Sequence, residues 1–242
     1  MRYATSLVLP VALLLVSGSG SRTIAQDVRP PIDVTILAIN DFHGHLKPPP
    51  GGIVIADPAD RAKKTRISAG GAEQMATLVK RLRADAPNSV FVAAGDLIGA
   101  SPLLSAIFAD EPTIESLSAM GLEISAVGNH EFDKGPGELL RMQNGGCHPV
   151  KGCFGPRPFA GAKFRYLAAS TIVTSTGRTL FPPYTLKEFG GVPVAFIGLT
   201  LKGTPTIISR RRRPGCVSPT KPTPSTRWCQ SCVRAASRPS WC

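Results

Sequence analysis

The order of apolar and polar positions along the chain predicts alternating strands and helices. Residues 34–39 form an almost continuous apolar run, which is typical of a parallel strand buried on both faces. Residues 89–94 predict a second short buried strand, and residues 124–127 a third. Between the first two, apolar residues at helical spacing predict a helix over 72–84.

The remaining elements are predicted from the same periodicities and from turn residues. They are helices after Pro102, over 113–120 and over 135–143, a strand over 165–169, and strands over 184–189 and 192–199 that flank the hairpin signal Gly190-Gly191. Residues 47–69, rich in Pro, Gly and charge, are predicted to be a loop, and residues 147–162 an irregular insertion. Strands that alternate with helices indicate an α/β fold whose functional loops follow the strand ends.

Three polar clusters each follow one of the short predicted strands. They are Asp41-Phe42-His43, Gly95-Asp96 and Gly128-Asn129-His130-Glu131-Phe132-Asp133. Each cluster alone is compatible with a turn or a helix cap. Loops that leave neighbouring strand ends converge on one crevice, so together the clusters favour a site for divalent cations. Asp41 and His43 are two residues apart, and in extended backbone both would face the same ion.

The formal net charge is large, but most of it comes from one short segment. The chain carries a formal +12, but eight of its 28 Lys and Arg residues lie in 209–242, a segment without Asp or Glu. Residues 1–208 therefore carry only +4, and we expect no evenly basic face and no nucleic-acid partner. In the alternative interpretation, the Arg run at 210–213 binds a nucleic acid or an anionic membrane.

The first 25 residues have the pattern of a secretory signal peptide. Arg2 precedes an apolar run over 7–16, and Thr23-Ile24-Ala25 forms a cleavage motif. The run is too short to span a bilayer, so we predict export to the periplasm or cell surface, without stable membrane insertion after cleavage. An uncleaved anchor is the alternative.

The three clusters in this order resemble the calcineurin-like metallophosphoesterase superfamily, whose pattern is D-x-H, then G-D, then G-N-H-[DE]. More narrowly, residues 39–44, 94–96 and 126–135, with Ser101-Pro102, resemble the 5'-nucleotidase family of bacterial periplasm and cell surfaces. The resemblance covers residues 32–208. It implies a four-layer αββα sandwich, incomplete here at its C-terminal side. It also implies hydrolysis of small-molecule nucleotide phosphate esters, of the 5'-nucleotidase or 2',3'-cyclic phosphodiesterase type.

The resemblance also assigns a role to each matching position. His130 would sit beside the scissile phosphate, oriented by Asp133. Two divalent ions share a bridging carboxylate because it offsets their repulsion, and the donor set accepts Mn, Zn, Mg, Fe or Co. The metal ligands implied by position are Asp41 and His43 for the first ion, Asp96 for both, and Asn129 for the second.

Two features of the family are not found in the sequence. They are later histidine ligands, since the chain has only four His residues, and the nucleoside-binding C-terminal domain. His148 lies in the insertion and is not expected to bind a metal. An inactive, truncated remnant is therefore the alternative to an active hydrolase.

The six cysteines suit an oxidising compartment and fall into two groups. Cys147 and Cys153 are predicted to form a disulfide, because they lie in an irregular insertion and closing a short loop costs little entropy. The other four lie in the last 34 residues of the chain.

Those last residues, 209–242, contain no Leu, Ile, Phe or Met and cannot bury a core. We predict that 26–208 is a partial metallophosphoesterase domain, followed by a tail read out of frame from near Ser209, disordered and with few contacts to the domain. A genuine basic tail, with a weak zinc signal at Cys229 and Cys232, is the alternative.

Overall fold

The computed structural model describes residues 30–208 and the backbone of residues 216 and 217. The chain divides into two units, 1–31 and 32–242, and all of the described helices and strands lie in the second. The predicted signal peptide and almost all of the predicted tail lie outside the described residues. Within the described part, no helix has both the length and the apolar character needed to cross a membrane.

Strands and helices alternate along the second unit. A single 3₁₀ turn over His130–Phe132 precedes the fourth helix. The elements are, in chain order, β1 (Thr35–Ile39), β2 (Ile53–Ala56), β3 (Lys64–Ile67), α1 (Ala72–Ala84), β4 (Ser89–Ala93), α2 (Leu103–Ala106), α3 (Glu111–Ala119), β5 (Ile124–Ala126), α4 (Pro136–Asn144), β6 (Arg165–Leu167), β7 (Ile172–Val173), β8 (Tyr184–Phe189), β9 (Val192–Ile197), α5 (Thr204–Ile207) and β10 (Cys216–Val217).

The central sheet has four strands in the order β1-β4-β5-β6, and every pairing in it is parallel. The carboxyl ends of all four strands therefore lie at one edge of the sheet. The predicted α/β class is confirmed, and so are the helix over 72–84 and the hairpin of β8 and β9. That hairpin turns on Gly190 and Gly191, whose φ angles of 52° and 82° suit the two-residue turns that need left-handed backbone.

Each face of the sheet packs against a different layer. On one face lie α1, α3 and α4, which contribute Val79, Ile114, Leu117, Leu139 and Met142 to the main core with Phe91 of β4. On the other face, Val90, Ile124 and Leu167 pack with Phe189 of β8 and with Val194 and Phe196 of β9. The described residues thus build a helical layer, a parallel sheet and a two-stranded second sheet. These are layers that the α/β sandwich predicted from the sequence requires.

The structure corrects two predictions about strands. Residues 34–39 were expected to be buried on both faces, but β1 is an edge strand and Ile36 is 53% exposed. Residues 47–69 are not one loop, because β2 and β3 pair antiparallel within them, with Ile53 opposite Ile67. Their charged and Gly-rich flanks obscured the short alternating pattern.

The described part of the tail makes one contact with the domain, where the sequence predicts few. Cys216 and Val217 pair antiparallel with Val173 and Ile172 of β7, a strand that the sequence did not predict. Backbone pairing of this kind needs no apolar side chain, which is the signal that the tail lacks. The rest of the segment from 209 onward lies outside the described residues.

Candidate metal centre

Three loops meet at the carboxyl edge of the sheet because β1, β4 and β5 are neighbours there. The loop after β1 runs along the loop after β4, and backbone hydrogen bonds hold the two together. The N–H groups of Asp41, His43 and Gly44 donate to the carbonyls of Gly95, Asp96 and Leu97, at 3.2, 3.1 and 3.0 Å. The backbones of the clusters after β1 and β4 therefore lie side by side, as the sequence predicts.

The conformation of the first loop differs from the one expected. Asp41 and His43 have φ angles of 51° and 45°, so they are left-handed, whereas the prediction that both would face one ion assumed extended backbone. The hydrogen bonds to the neighbouring loop force this tight path, and the two side chains still converge. Asp96 is also left-handed, with φ of 54°. Non-glycine residues in this region cost roughly 1–3 kcal/mol each and concentrate at functional sites.

Side chains of the first two clusters form a compact donor group. One ligand atom from each of Asp41, His43 and Asp96 lies within 4.8 Å of the others, and His43 Nε2 is 3.7 Å from Asp41 Oδ1. The carbonyl of Gly99 lies 2.8 Å from His43 Nδ1 and can only accept a hydrogen bond, so Nδ1 carries the proton. That tautomer leaves Nε2 with a free lone pair facing the carboxylates. Two carboxylates and a neutral imidazole nitrogen fit a divalent cation.

The second and third loops approach so closely that glycine is required between them. A Cβ atom on Gly128 would lie 2.2 Å from Asp96 Oδ1. The N–H of His130 donates to that same oxygen at 2.8 Å, which fixes how the Asp96 carboxylate is turned. Asn129 lies between these two contacts and starts the 3₁₀ turn, with its carbonyl accepting from Phe132 at 3.1 Å. Its backbone therefore belongs to the loop that abuts Asp96.

His130 and Asp133 form a pair beside the donor group. His130 Nδ1 is 2.8 Å from Asp133 Oδ2, and the His130 ring meets the His43 ring edge-on, with centroids 4.8 Å apart. Burial alone would lower the pKa of His130, but the hydrogen bond to Asp133 and the charges of Asp133, Asp96 and Glu131 outweigh it and raise the pKa. The imidazole is thus biased towards its protonated form.

Glu131 is a site feature to which sequence reasoning gave no role. Its side chain is almost fully buried, and its carboxylate accepts three backbone N–H groups at 2.7–2.8 Å. Burial raises the pKa of Glu131 to about 7, against the opposing effect of these donors. One feature of the sequence could have indicated a role for Glu131. It is an acidic residue that lies between His130 and Asp133 and directly before the apolar Phe132, and a solvent-exposed turn does not require an acid at this position.

The two insertion cysteines and His148 lie apart from this group. Cys147 and Cys153 are joined as a disulfide, with Cα atoms 4.4 Å apart. His148 Nδ1 accepts the N–H groups of Val150 and Lys151, both at 3.1 Å. His148 therefore has a local structural role, and it is not part of the cluster of acidic and imidazole groups at the sheet edge.

The family model for the calcineurin-like phosphoesterases matches residues 34–199, which include all three clusters. The chain belongs to this family. Members of the family bind divalent metals, and Asp41, His43 and Asp96 form a candidate site for one. At the level of the family, the protein is a metallophosphoesterase and therefore a hydrolase.

Individual relatives differ widely in length. The chain is 44% identical over 197 residues to an uncharacterised protein of Acinetobacter calcoaceticus, covering 78% of this chain and 95% of that protein. It is 36% identical to Endonuclease YhcR of Bacillus subtilis, covering 69% of this chain and 13% of the relative. It is 30% identical to the 5'-nucleotidase of Vibrio cholerae, covering 72% of this chain and 26% of that enzyme.

Among solved structures, the 5'-nucleotidase precursor of Thermus thermophilus superposes with a TM-score of 0.61 at 26% identity. The match covers 84% of this chain and 35% of the Thermus chain. The chain thus spans almost the whole of the Acinetobacter relative but about a third or less of the named nucleotidase and endonuclease chains.

Proposed function

We propose that this chain is a metal-dependent phosphoesterase that hydrolyses phosphate esters of small-molecule nucleotides at a two-ion centre. The observation that carries the proposal is the convergence of Asp41, His43 and Asp96 ligand atoms within 4.8 Å, beside the His130–Asp133 pair. The similarity to the 5'-nucleotidases of Vibrio and Thermus supports the substrate class.

Each residue has a part that its chemistry suggests. Asp41 and His43 would hold one divalent ion, Asp96 would be shared, and Asn129 would offer its amide oxygen to the second. Bound divalent ions acidify a water and offset charge on phosphoryl oxygens. His130 is held by Asp133 through Nδ1, so its Nε2 edge is the one free to donate a proton to the leaving ester oxygen.

The decisive assay uses the full chain with Mn²⁺ or Zn²⁺ on AMP and on bis-(p-nitrophenyl) phosphate. Asp96→Asn should abolish metal-dependent turnover of both substrates, because the variant removes one anionic ligand of the centre. Asp85→Asn is the matched control, since Asp85 is exposed at the end of α1, and it should behave as wild type. Equal turnover by wild type and Asp96→Asn would contradict the proposal.

Two alternatives have specific observations behind them. The sequence carries no His after His148, so an inactive remnant is the second candidate, supported if wild type shows no turnover with any metal.

The Bacillus relative is named an endonuclease, which makes a polynucleotide the competing substrate. The charge of only +4 over residues 1–208 favours a small nucleotide, and including single-stranded DNA in the assay decides between them.

The proposed domain limits are those of the sequence prediction, with a cleaved leader over 1–25, a catalytic domain over 26–208 and a basic segment after it. Export to the periplasm or cell surface belongs to the same proposal. A mature N-terminus at Gln26, read by mass spectrometry of the exported protein, is the expected result. A mature protein that still begins at Met1 would contradict it.

A further inference from the structure

A buried carboxylate ties together the two loops that carry the central ligands. Glu131 is 2% exposed. Its Oε2 accepts the N–H groups of Asp96 at 2.8 Å and Gly128 at 2.7 Å, and its Oε1 accepts the N–H of Leu97 at 2.8 Å. One side chain from the loop after β5 therefore fixes two successive peptide groups of the loop after β4, as well as the start of its own loop.

The contacts of Glu131 act on Asp96, the ligand that both ions would share. Asp96 holds a left-handed backbone, which a non-glycine residue adopts only under constraint. Glu131 supplies that constraint on the backbone, while the N–H of His130 orients the carboxylate itself at 2.8 Å. Backbone and side chain of Asp96 are thus fixed by two separate groups from the same short turn.

No other residue type can accept these three hydrogen bonds equally well. An apolar side chain at position 131 would leave three N–H groups without their acceptor, at roughly 1–3 kcal/mol for each buried group. A glutamine keeps the size but has one acceptor oxygen, so its amide NH₂ would face backbone donors on one side. Only a carboxylate of this length can accept on both oxygens.

We propose that Glu131 is a positioning residue of the metal centre, which holds Asp96 in the geometry that two divalent ions require. The inference rests on the proposed function, since it presupposes that Asp96 binds metal. Glu131 itself would touch neither the ion nor the substrate. Groups that orient metal ligands in this way typically change metal affinity about 10- to 100-fold when they are replaced.

The test measures Mn²⁺ binding directly in the full chain, by the loss of the free-ion electron paramagnetic resonance signal, for Glu131→Gln and wild type. We expect the dissociation constant for Mn²⁺ to rise about 10- to 100-fold. The matched control is Glu111→Gln, because Glu111 is also buried but pairs with Arg141. That variant should unfold at lower urea concentration in EDTA while its Mn²⁺ affinity stays unchanged.

The outcomes separate a positioning role from a merely structural one. If Glu131→Gln loses stability but binds Mn²⁺ as wild type does, the proposal is overturned while the proposed function stands. If that variant does not fold, Glu131→Asp keeps the charge at a shorter reach, and wild-type Mn²⁺ affinity in it would overturn the proposal equally. A wild-type chain that binds no Mn²⁺ would overturn both the positioning role and the proposed function.

Discussion

Asp133 Oδ2 lies 2.8 Å from Nδ1 of His130, and the two side chains are almost equally exposed, at 36% and 33%. The pair is therefore open to solvent on one side while its geometry is fixed by the short 3₁₀ turn between them. The His130 ring also packs edge-on against His43. A group suited to proton transfer thus lies directly beside a group suited to binding a cation.

The first prediction concerns proton donation by His130. His130→Asn should lower kcat on AMP by roughly 10²–10⁴-fold, because the leaving ribose oxygen needs a proton. The loss should be much smaller on p-nitrophenyl phosphate, whose leaving group departs without one. Steady-state kinetics on both substrates measure the difference. An equal loss on both would show that His130 acts in another way, and Asp133→Asn should give the same leaving-group pattern more weakly.

The second prediction is a pH dependence of stability that arises at Asp110. Burial alone would raise the pKa of Asp110, but hydrogen bonds from Lys134, Ser101 and Ser105 and the charge of Lys134 lower it below the ordinary value of 3.8. Ionised Asp110 therefore stabilises the fold above that value, and the contribution is lost as the pH falls through the lowered pKa.

Asp110→Asn should accordingly reduce the free energy of unfolding at pH 7 by roughly 1.5–3 kcal/mol, the usual value of hydrogen bonds to a charged group. The difference from wild type should shrink below about pH 4, where the unfolded carboxyl protonates. Thermal unfolding between about pH 3 and pH 7 measures this. Asp85→Asn, at an exposed position, should match wild type throughout, and a difference for Asp110→Asn that does not change with pH would refute the account.

The third prediction concerns the disulfide of Cys147 and Cys153. The loop it closes is short, with a sequence separation of 6, so the chain-entropy model assigns it about 2 kcal/mol. A Cys147→Ser, Cys153→Ser double variant should therefore unfold at lower urea concentration, while its Mn²⁺ affinity remains that of wild type. Mass mapping of the oxidised protein checks the bond, and two free thiols in the exported protein would contradict it.

Apolar periodicity and strand-end chemistry were enough to predict the main elements and the convergence of the loops that follow β1 and β4. The helix over 72–84, the hairpin around Gly190-Gly191 and the convergence of the loops carrying Asp41 and Asp96 were all accessible in this way. Parallel sheets bring strand ends to one edge, so the polar residues after the strands had to meet once the strands were identified.

The features that the sequence could not predict depend on contacts between distant segments. The left-handed backbone of Asp41 and His43 is set by hydrogen bonds to residues 95 and 96, which no local pattern reveals. The exposure of Ile36 goes with the edge position of β1 in the sheet, which the residues of β1 alone do not specify. The role of Glu131 depends on three backbone donors, two of them 35 and 34 residues away.

The fourth prediction concerns the outer face of the β8–β9 hairpin. Phe189, Val194 and Phe196 turn towards the sheet, so Leu186 and its partner Ala195 face away from it, and Leu186 is 50% exposed. Exposed apolar residues on a two-stranded sheet favour association between molecules. Leu186→Lys should raise the soluble yield and reduce binding of an apolar fluorescent dye.

Val150→Lys is the control, because Val150 is 88% exposed on a loop outside any sheet, and it should change neither quantity. If Leu186→Lys leaves both unchanged, the hairpin face is not the source of association.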